Sequence, residues 1–229
     1  MSQSSFHATR WTLVRQAGLR SDAGRTALSE LCGIYYEPVF RFIRARTANE
    51  DLARDLTHGF FEELLLRESV GAPDPEKGRF RSWLLGAVKH FLARQHAQAM
   101  AAKRGGGTEH VELHEAAENL TGEDARAGFD RDWALALIRR ALVSLEGELA
   151  AAGKGNHFQM LQPWLDGGAP GSSRETAELL GLSENAFHVT VHRLRQRFRI
   201  FVRAEVAATT TCATEADEEF RHLVEVLAG

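Results

Sequence analysis

The stretch Ser173-Arg174-Glu175-Thr176-Ala177-Glu178-Leu179-Leu180-Gly181-Leu182-Ser183-Glu184-Asn185-Ala186-Phe187, running on to Arg203, predicts a short helix, a glycine turn and a longer basic helix. Ala177 is small where two crossing helices must approach closely. Gly181 can take the left-handed conformation that ends the first helix, and Ser183 can cap the second. Beyond the cap, Phe187, Val191, Leu194, Phe198, Phe201 and Val202 recur at helical spacing on one side. Asn185, Val189, His192, Gln196, Arg199 and Arg203 fall on the other. One face suits a core and the other a polyanion, the layout of a DNA-reading helix-turn-helix. An amphipathic hairpin with solvated arginines would show the same period.

Composition narrows the rest. At 229 residues, one or two domains with a real core are expected, and the 44% hydrophobic and 26% charged content is that of a soluble globular chain. The net charge of −3 excludes a general polyanion binder, so the distribution of charge matters more than its sum. Lys77, Arg79, Arg81, Lys89, Arg94, Lys103 and Arg104 fall in a stretch without an acid, whereas 109–132 and the tail around Glu215, Asp217, Glu218 and Glu219 are acidic. Such alternation suits contact with nucleic acid at defined places and with protein elsewhere. Cys32 and Cys212 match neither a metal spacing nor a disulfide framework, which suggests a reducing cytoplasm. With no apolar leader core and no long apolar run, a cytoplasmic protein without a membrane partner is expected.

Helical periods dominate the chain. A short helix is predicted around Trp11, Leu13 and Val14. The next, from about Arg25 to Arg46, turns Leu28, Leu31, Tyr35, Phe42 and Ile43 inward, with Pro38 marking a kink or break. A third, from about Glu50 to Arg67, repeats Leu52, Leu56, Phe60 and Leu64. After the loop 71–78 comes a long helix from about Phe80 to Lys103. Gly105-Gly106-Gly107 opens an acidic stretch without clear period, read as a linker. Helices near 131–149 and 158–165 precede the helix-turn-helix, and an amphipathic segment, 218–227, follows a Thr-rich spacer. The expected fold is all-α: a first domain over 1–104, a flexible acidic linker over 105–128, a helix-turn-helix domain over 129–206 and an acidic extension over 207–229.

Three stretches together resemble a bacterial extracytoplasmic-function RNA polymerase sigma factor. Asp55-Leu56-Thr57-His58-Gly59-Phe60-Phe61 is similar to the acidic-aliphatic signature of the helix that docks on the polymerase clamp. Gly78-Arg79-Phe80-Arg81-Ser82-Trp83-Leu84-Leu85, followed by Lys89-His90-Phe91-Leu92, resembles the region that opens and reads the minus-10 element. The helix-turn-helix corresponds to the minus-35 reader. The likeness spans about Phe6 to Leu227, and the Lys-Arg-Gly-Gly-Gly run and acidic tail resemble a subgroup with short extensions at both ends.

The resemblance implies binding rather than bond-making: a non-enzymatic subunit, without cofactor or metal, that gives core polymerase its promoter specificity through the beta-prime clamp, the beta flap and promoter DNA. Clamp contacts would fall on Asp55, Leu56, Phe60, Phe61 and Leu64. Unpaired bases are held by stacking on aromatic rings while cations track phosphates. Phe80 and Trp83 supply rings, Lys77, Arg79, Arg81, Lys89 and Arg94 charge, and His90 a polar edge; Trp83 reads equally as core. Minus-35 contacts would fall on Glu184, Asn185, Ala186, His188, Val189, His192 and Arg193, with Arg174 and Ser183 near phosphate. Asn pairs with adenine and Arg with guanine in the major groove. Arg195, Arg197 and Arg199 suit phosphates or solvent.

Departures from the pattern also carry information. Arg54 before Asp55, and His58-Gly59, leave the docking helix less acidic than is usual, which weakens attraction to a basic clamp. A phosphate on Thr57 would restore negative charge, making Thr57 a candidate phosphosite for a Ser/Thr kinase partner, although a threonine at the edge of a core reads the same way. An anti-sigma protein, or the acidic tail folding back on the basic helix 184–203, would be other restraints. Two readings compete. A polymerase-independent helix-turn-helix regulator explains the C-terminal half but leaves Phe60-Phe61 and the Trp83 region without a role. His110 and His114, at i and i+4 beside Glu112 and Glu115, make half a metal site without a third ligand.

Overall fold

The computed structural model describes residues 22–66, 80–104, 123–165, 171–210 and 212–229, all-helical with no strand among them. In chain order the helices are α1 (Asp22–Arg44), α2 (Glu50–Leu66), α3 (Phe80–Arg104), α4 (Glu123–Ala151), α5 (Gly155–Leu161) with a following 3-10 turn (Gln162–Trp164), α6 (Ser173–Leu179), α7 (Glu184–Ala207) and α8 (Ala213–Ala228). No helix among the described residues is long and apolar enough to cross a membrane. The segment around Trp11, Leu13 and Val14, the loop 71–78 and most of the predicted linker lie outside the described residues.

The chain divides into two compact units, one comprising residues up to Ala136 together with Val206–Gly229, the other Leu137–Glu205. These boundaries differ from those expected from the sequence. The early part of α4 belongs to the first unit because Phe129 and Trp133 are buried there: Phe129 meets Phe42 edge-on at 5.8 Å, and the Arg81 guanidinium lies over the Trp133 ring at 5.0 Å. The tail likewise belongs to the first unit, through α8.

In the first unit, α1 contributes Tyr35, Val39, Phe42 and Ile43 to the core, α2 contributes Leu56, Phe60 and Leu64, and α3 contributes Phe80, Leu84, Val88 and Phe91. The spacings of three, four and seven residues put each set on one helical face. Pro38 does not interrupt α1, which runs unbroken from Asp22 to Arg44 with Pro38 buried inside it. Asn49 caps α2 by accepting the Leu52 amide at 2.8 Å.

The second unit is built around Leu145, Phe158, Leu161, Trp164, Ala177, Leu180, Phe187, Val191 and Leu194, with Phe198 and Phe201 against its margin. Phe187 stands edge-on to Trp164 at 5.0 Å. Arg195 donates from Nε and Nη2 to the Trp164 carbonyl, at 2.9 and 2.7 Å, satisfying the end of the 3-10 turn. Its role here is structural, and it is not a spare cation for phosphate.

Candidate nucleic-acid interface

The turn between α6 and α7 is built by local chemistry. Ser172, at the N-cap of α6, accepts the Glu175 amide. At the other end Gly181 takes φ of +65°, the Gly181 amide donates to Glu178 O at 3.0 Å, and the Leu182 amide donates to Ala177 O at 2.9 Å. That pair of bonds is the Schellman stop, which needs a left-handed residue and therefore favours glycine. Ser183 Oγ then accepts the Ala186 amide at 3.3 Å, opening α7. Ala177 is 1% exposed, as its small side chain at the crossing requires.

This turn sets the rotation of α7. Phe187, Val191 and Leu194 go inward, so Asn185, His188, Val189, His192 and Arg193 are all exposed on the other side, with Glu184 at the helix start and Ala186 half-buried. His188 and His192 are thus both open to solvent. Arg174 is exposed and pairs with Glu178 at 3.1 Å, one turn along α6. Glu184 accepts a hydrogen bond from Ser173 Oγ at 3.1 Å, tying the starts of the two helices together. The result is a helix whose outward face carries two imidazoles, an amide, a guanidinium and the side chain of Val189.

Arg197 is held by Glu148 and lies over the Phe201 ring at 5.0 Å. The hydrogen bond to Arg197 keeps the Glu148 carboxyl below its ordinary range. A carboxyl lowered in the folded state contributes stability above its unfolded pKa, and loses that contribution as pH falls through the folded value. The pair is exposed, so screening keeps the effect small. The stability difference between the native chain and a Glu148→Gln variant should therefore be present at neutral pH and vanish in acid, as urea midpoints across pH would show.

Beside the exposed face, a cavity of about 480 Å³ within the second unit is lined by Leu145, Leu149, Phe158, Leu161, Leu182 and Leu194, with Lys154, His157, Arg193 and Arg197. Its walls are apolar and its charges are of one sign.

The first unit rearranges the expected binding residues. On α2, Leu56, Phe60, Phe61 and Leu64 are buried in the core, and of the predicted clamp residues only Asp55 is exposed. The outward face carries Asp51, Asp55, His58 and Glu62, with Arg54 paired to Glu50. Asp51 and Glu62 were missed by sequence reasoning, although counting four back and seven on from Asp55 would have found them. Thr57 is 0% exposed and its hydroxyl donates to Ala53 O at 2.7 Å. The hydroxyl is thus closed to a kinase while the helix is folded, in keeping with a threonine at the edge of a core.

On α3, Phe80 is 1% and Arg81 3% exposed, so neither is presented to a ligand as expected. Phe80 packs at a tilt against the rings of Tyr35 and Trp83, at 5.1 and 5.4 Å. Arg81 pairs with Asp130 of α4 and reaches Glu219 of α8 at 3.4 Å. Arg94 is held by Glu63. Trp83 and Lys89 are half-buried and His90 is exposed. Lys77 and Arg79 lie outside the described residues, as do His110 and His114. No group of three or more His, Cys, Asp or Glu side chains among the described residues is placed to hold a metal ion.

No family profile, curated protein or solved structure matches this chain.

Proposed function

We propose that this protein is a sigma factor that directs core RNA polymerase to promoters. The carrying observation is the α6–α7 unit: a Schellman stop at Gly181, a serine cap at Ser183, Phe187 sealed in the core, and four polar side chains and one valine turned outward from the first turns of α7. Those first turns are the part of a recognition helix that enters the major groove. Asn185 is suited to an adenine edge, Arg193 to guanine or phosphate, and Val189 to a thymine methyl. Arg174 and the start of α6 would lie near the backbone.

The first unit supports the polymerase half of the reading. The outward face of α2 offers Asp51, Asp55 and Glu62 to a basic clamp surface, and the buried aliphatic residues of the same helix fix their spacing. His90, Trp83 and Lys89 supply an edge, a ring and a charge for an unpaired strand. The apolar cavity beside α7 has the character of a groove for an amphipathic helix, consistent with a beta-flap contact. In this reading the polymerase performs the catalysis.

Replacing Asn185 or Arg193 by alanine should weaken retention of the cognate duplex by about 1–3 kcal/mol for each base edge no longer read, and relax preference at one position. Selection from a random duplex pool, followed by competition binding, measures both. A uniform weakening across all sequences would assign the residue to phosphate instead. An operator-binding regulator would be retained as a dimer on palindromic sites, whereas one copy on an asymmetric site supports the sigma reading.

A further inference from the structure

A cavity of about 210 Å³ in the first unit is lined by Arg81, Ser82, Leu85, Gly86 and Lys89 of α3 and by Arg126 and Asp130 of α4. Three cations thus border one small space. Among the described residues no carboxylate pairs with Lys89 or Arg126, whereas Arg81 pairs through its two terminal nitrogens with Asp130 and Glu219, its buried Nε having no hydrogen-bond partner among them. Burial pushes the Lys89 ammonium down, and the charges of Arg46 and Arg126 act in the same direction. The acid in this lining, Asp130, is held by Arg81, so an anion joining half-buried Lys89 and exposed Arg126 would offset the repulsion between them.

The tail supplies an anion to this cluster. Glu219 is 1% exposed, Leu223 one turn further along α8 is 2% exposed, and His222 Nε2 donates to Asp130 Oδ2 at 3.1 Å. A glutamate is rarely this buried, and here it reaches a guanidinium already held by another carboxylate. The Arg81–Asp130 pair stands without the tail, so Glu219 is the separable partner. An Arg fork donates to phosphate oxygens in the geometry in which it donates to carboxylate.

We propose that Arg81, Lys89 and Arg126 form a binding site for a nucleic-acid phosphodiester, and that Glu219 holds Arg81 in place of that phosphate until α8 is displaced. The tail thereby restrains the first unit by imitating its ligand, and does not need to lie on the basic helix 184–203. The identity of the ligand rests on the promoter reading. Its test needs no polymerase, so failure of one is distinguishable from failure of the other.

The test measures binding of a fluorescent oligothymidylate to the full chain at low salt, with α8 followed by hydrogen exchange. Glu219→Gln should bind about tenfold more tightly than the native chain, the worth of one charge-assisted contact, with exchange over 213–228 rising. Adding Lys89→Gln or Arg126→Gln should remove that gain. An oligomer with an uncharged methylphosphonate backbone should show none of it, and inorganic phosphate should compete only weakly if the chain of phosphodiesters is the ligand. Glu225→Gln, an equal change of charge on the exposed face of α8, should leave affinity unchanged. If Glu219→Gln leaves α8 in place, Leu223→Asp releases it and should produce the same gain. No tightening once α8 is released, or tightening that survives removal of Lys89 and Arg126, would overturn the proposal.

Discussion

Phe187→Ala should destabilise the second unit by about 3–5 kcal/mol, the range for removing a large aromatic ring from a packed core. Phe187 is 0% exposed, edge-on to Trp164, and shares one buried cluster with Leu145, Phe158, Leu161, Ala177 and Val191. It also fixes the rotation of α7, because it is the first residue of that helix to enter the core. Stability and recognition should therefore fail together: urea unfolding should shift strongly, and duplex retention should drop although no outward residue has changed. Phe187→Leu keeps most of the volume and should cost much less while restoring binding in proportion. A loss below about 1 kcal/mol for the alanine variant would mean that the site collapses around the gap and that the turn, not the ring, orients the helix.

Arg81→Met should be of similar size, about 3–5 kcal/mol, for a different reason. The substitution leaves Asp130 and Glu219, with side chains 6% and 1% exposed, facing each other without the guanidinium between them. Two carboxylates so placed cannot both stay ionised cheaply. Neutralising them with Asp130→Asn and Glu219→Gln in the Arg81→Met background should recover much of the loss, since an apolar or neutral cluster can replace a buried ionic one. Thermal unfolding of the native chain, Arg81→Met and the combined variant makes the comparison. Failure of the combined variant to recover would locate the cost in the missing packing of Arg81 over Trp133.

Local chemistry was legible in the sequence. Gly181, Ser183 and Ala177 act through backbone geometry within a few residues, so the stop, the cap and the crossing follow from residue type alone. The inward set on α7 was legible for the same reason, since its period is intrinsic to the helix. Partners distant along the chain were not. A basic residue in a basic stretch reads as a ligand contact, yet Arg81 meets Asp130 and Glu219, which lie on two other helices. Phe129 and Trp133 mark a buried face, but periodicity does not say which core receives it. Pro38 counts against a helix interior by propensity, and the packing of Tyr35, Val39 and Phe42 around it outweighs that local cost. On α2 the apolar residues of the docking signature proved to be the spine of the helix, and the acids between them its outer face.

Promoter-directed initiation is tested most directly by run-off transcription. Bacterial core polymerase is supplied with a promoter library, with and without this protein, and transcript starts are sequenced. A sigma factor gives transcripts that begin only when the protein is present, downstream of one shared two-part motif, and that disappear with Asn185→Ala or with Asp55→Arg. Core polymerase that binds neither the protein nor any new start site, while the protein alone retains duplex DNA, would contradict that role and leave a free-standing regulator.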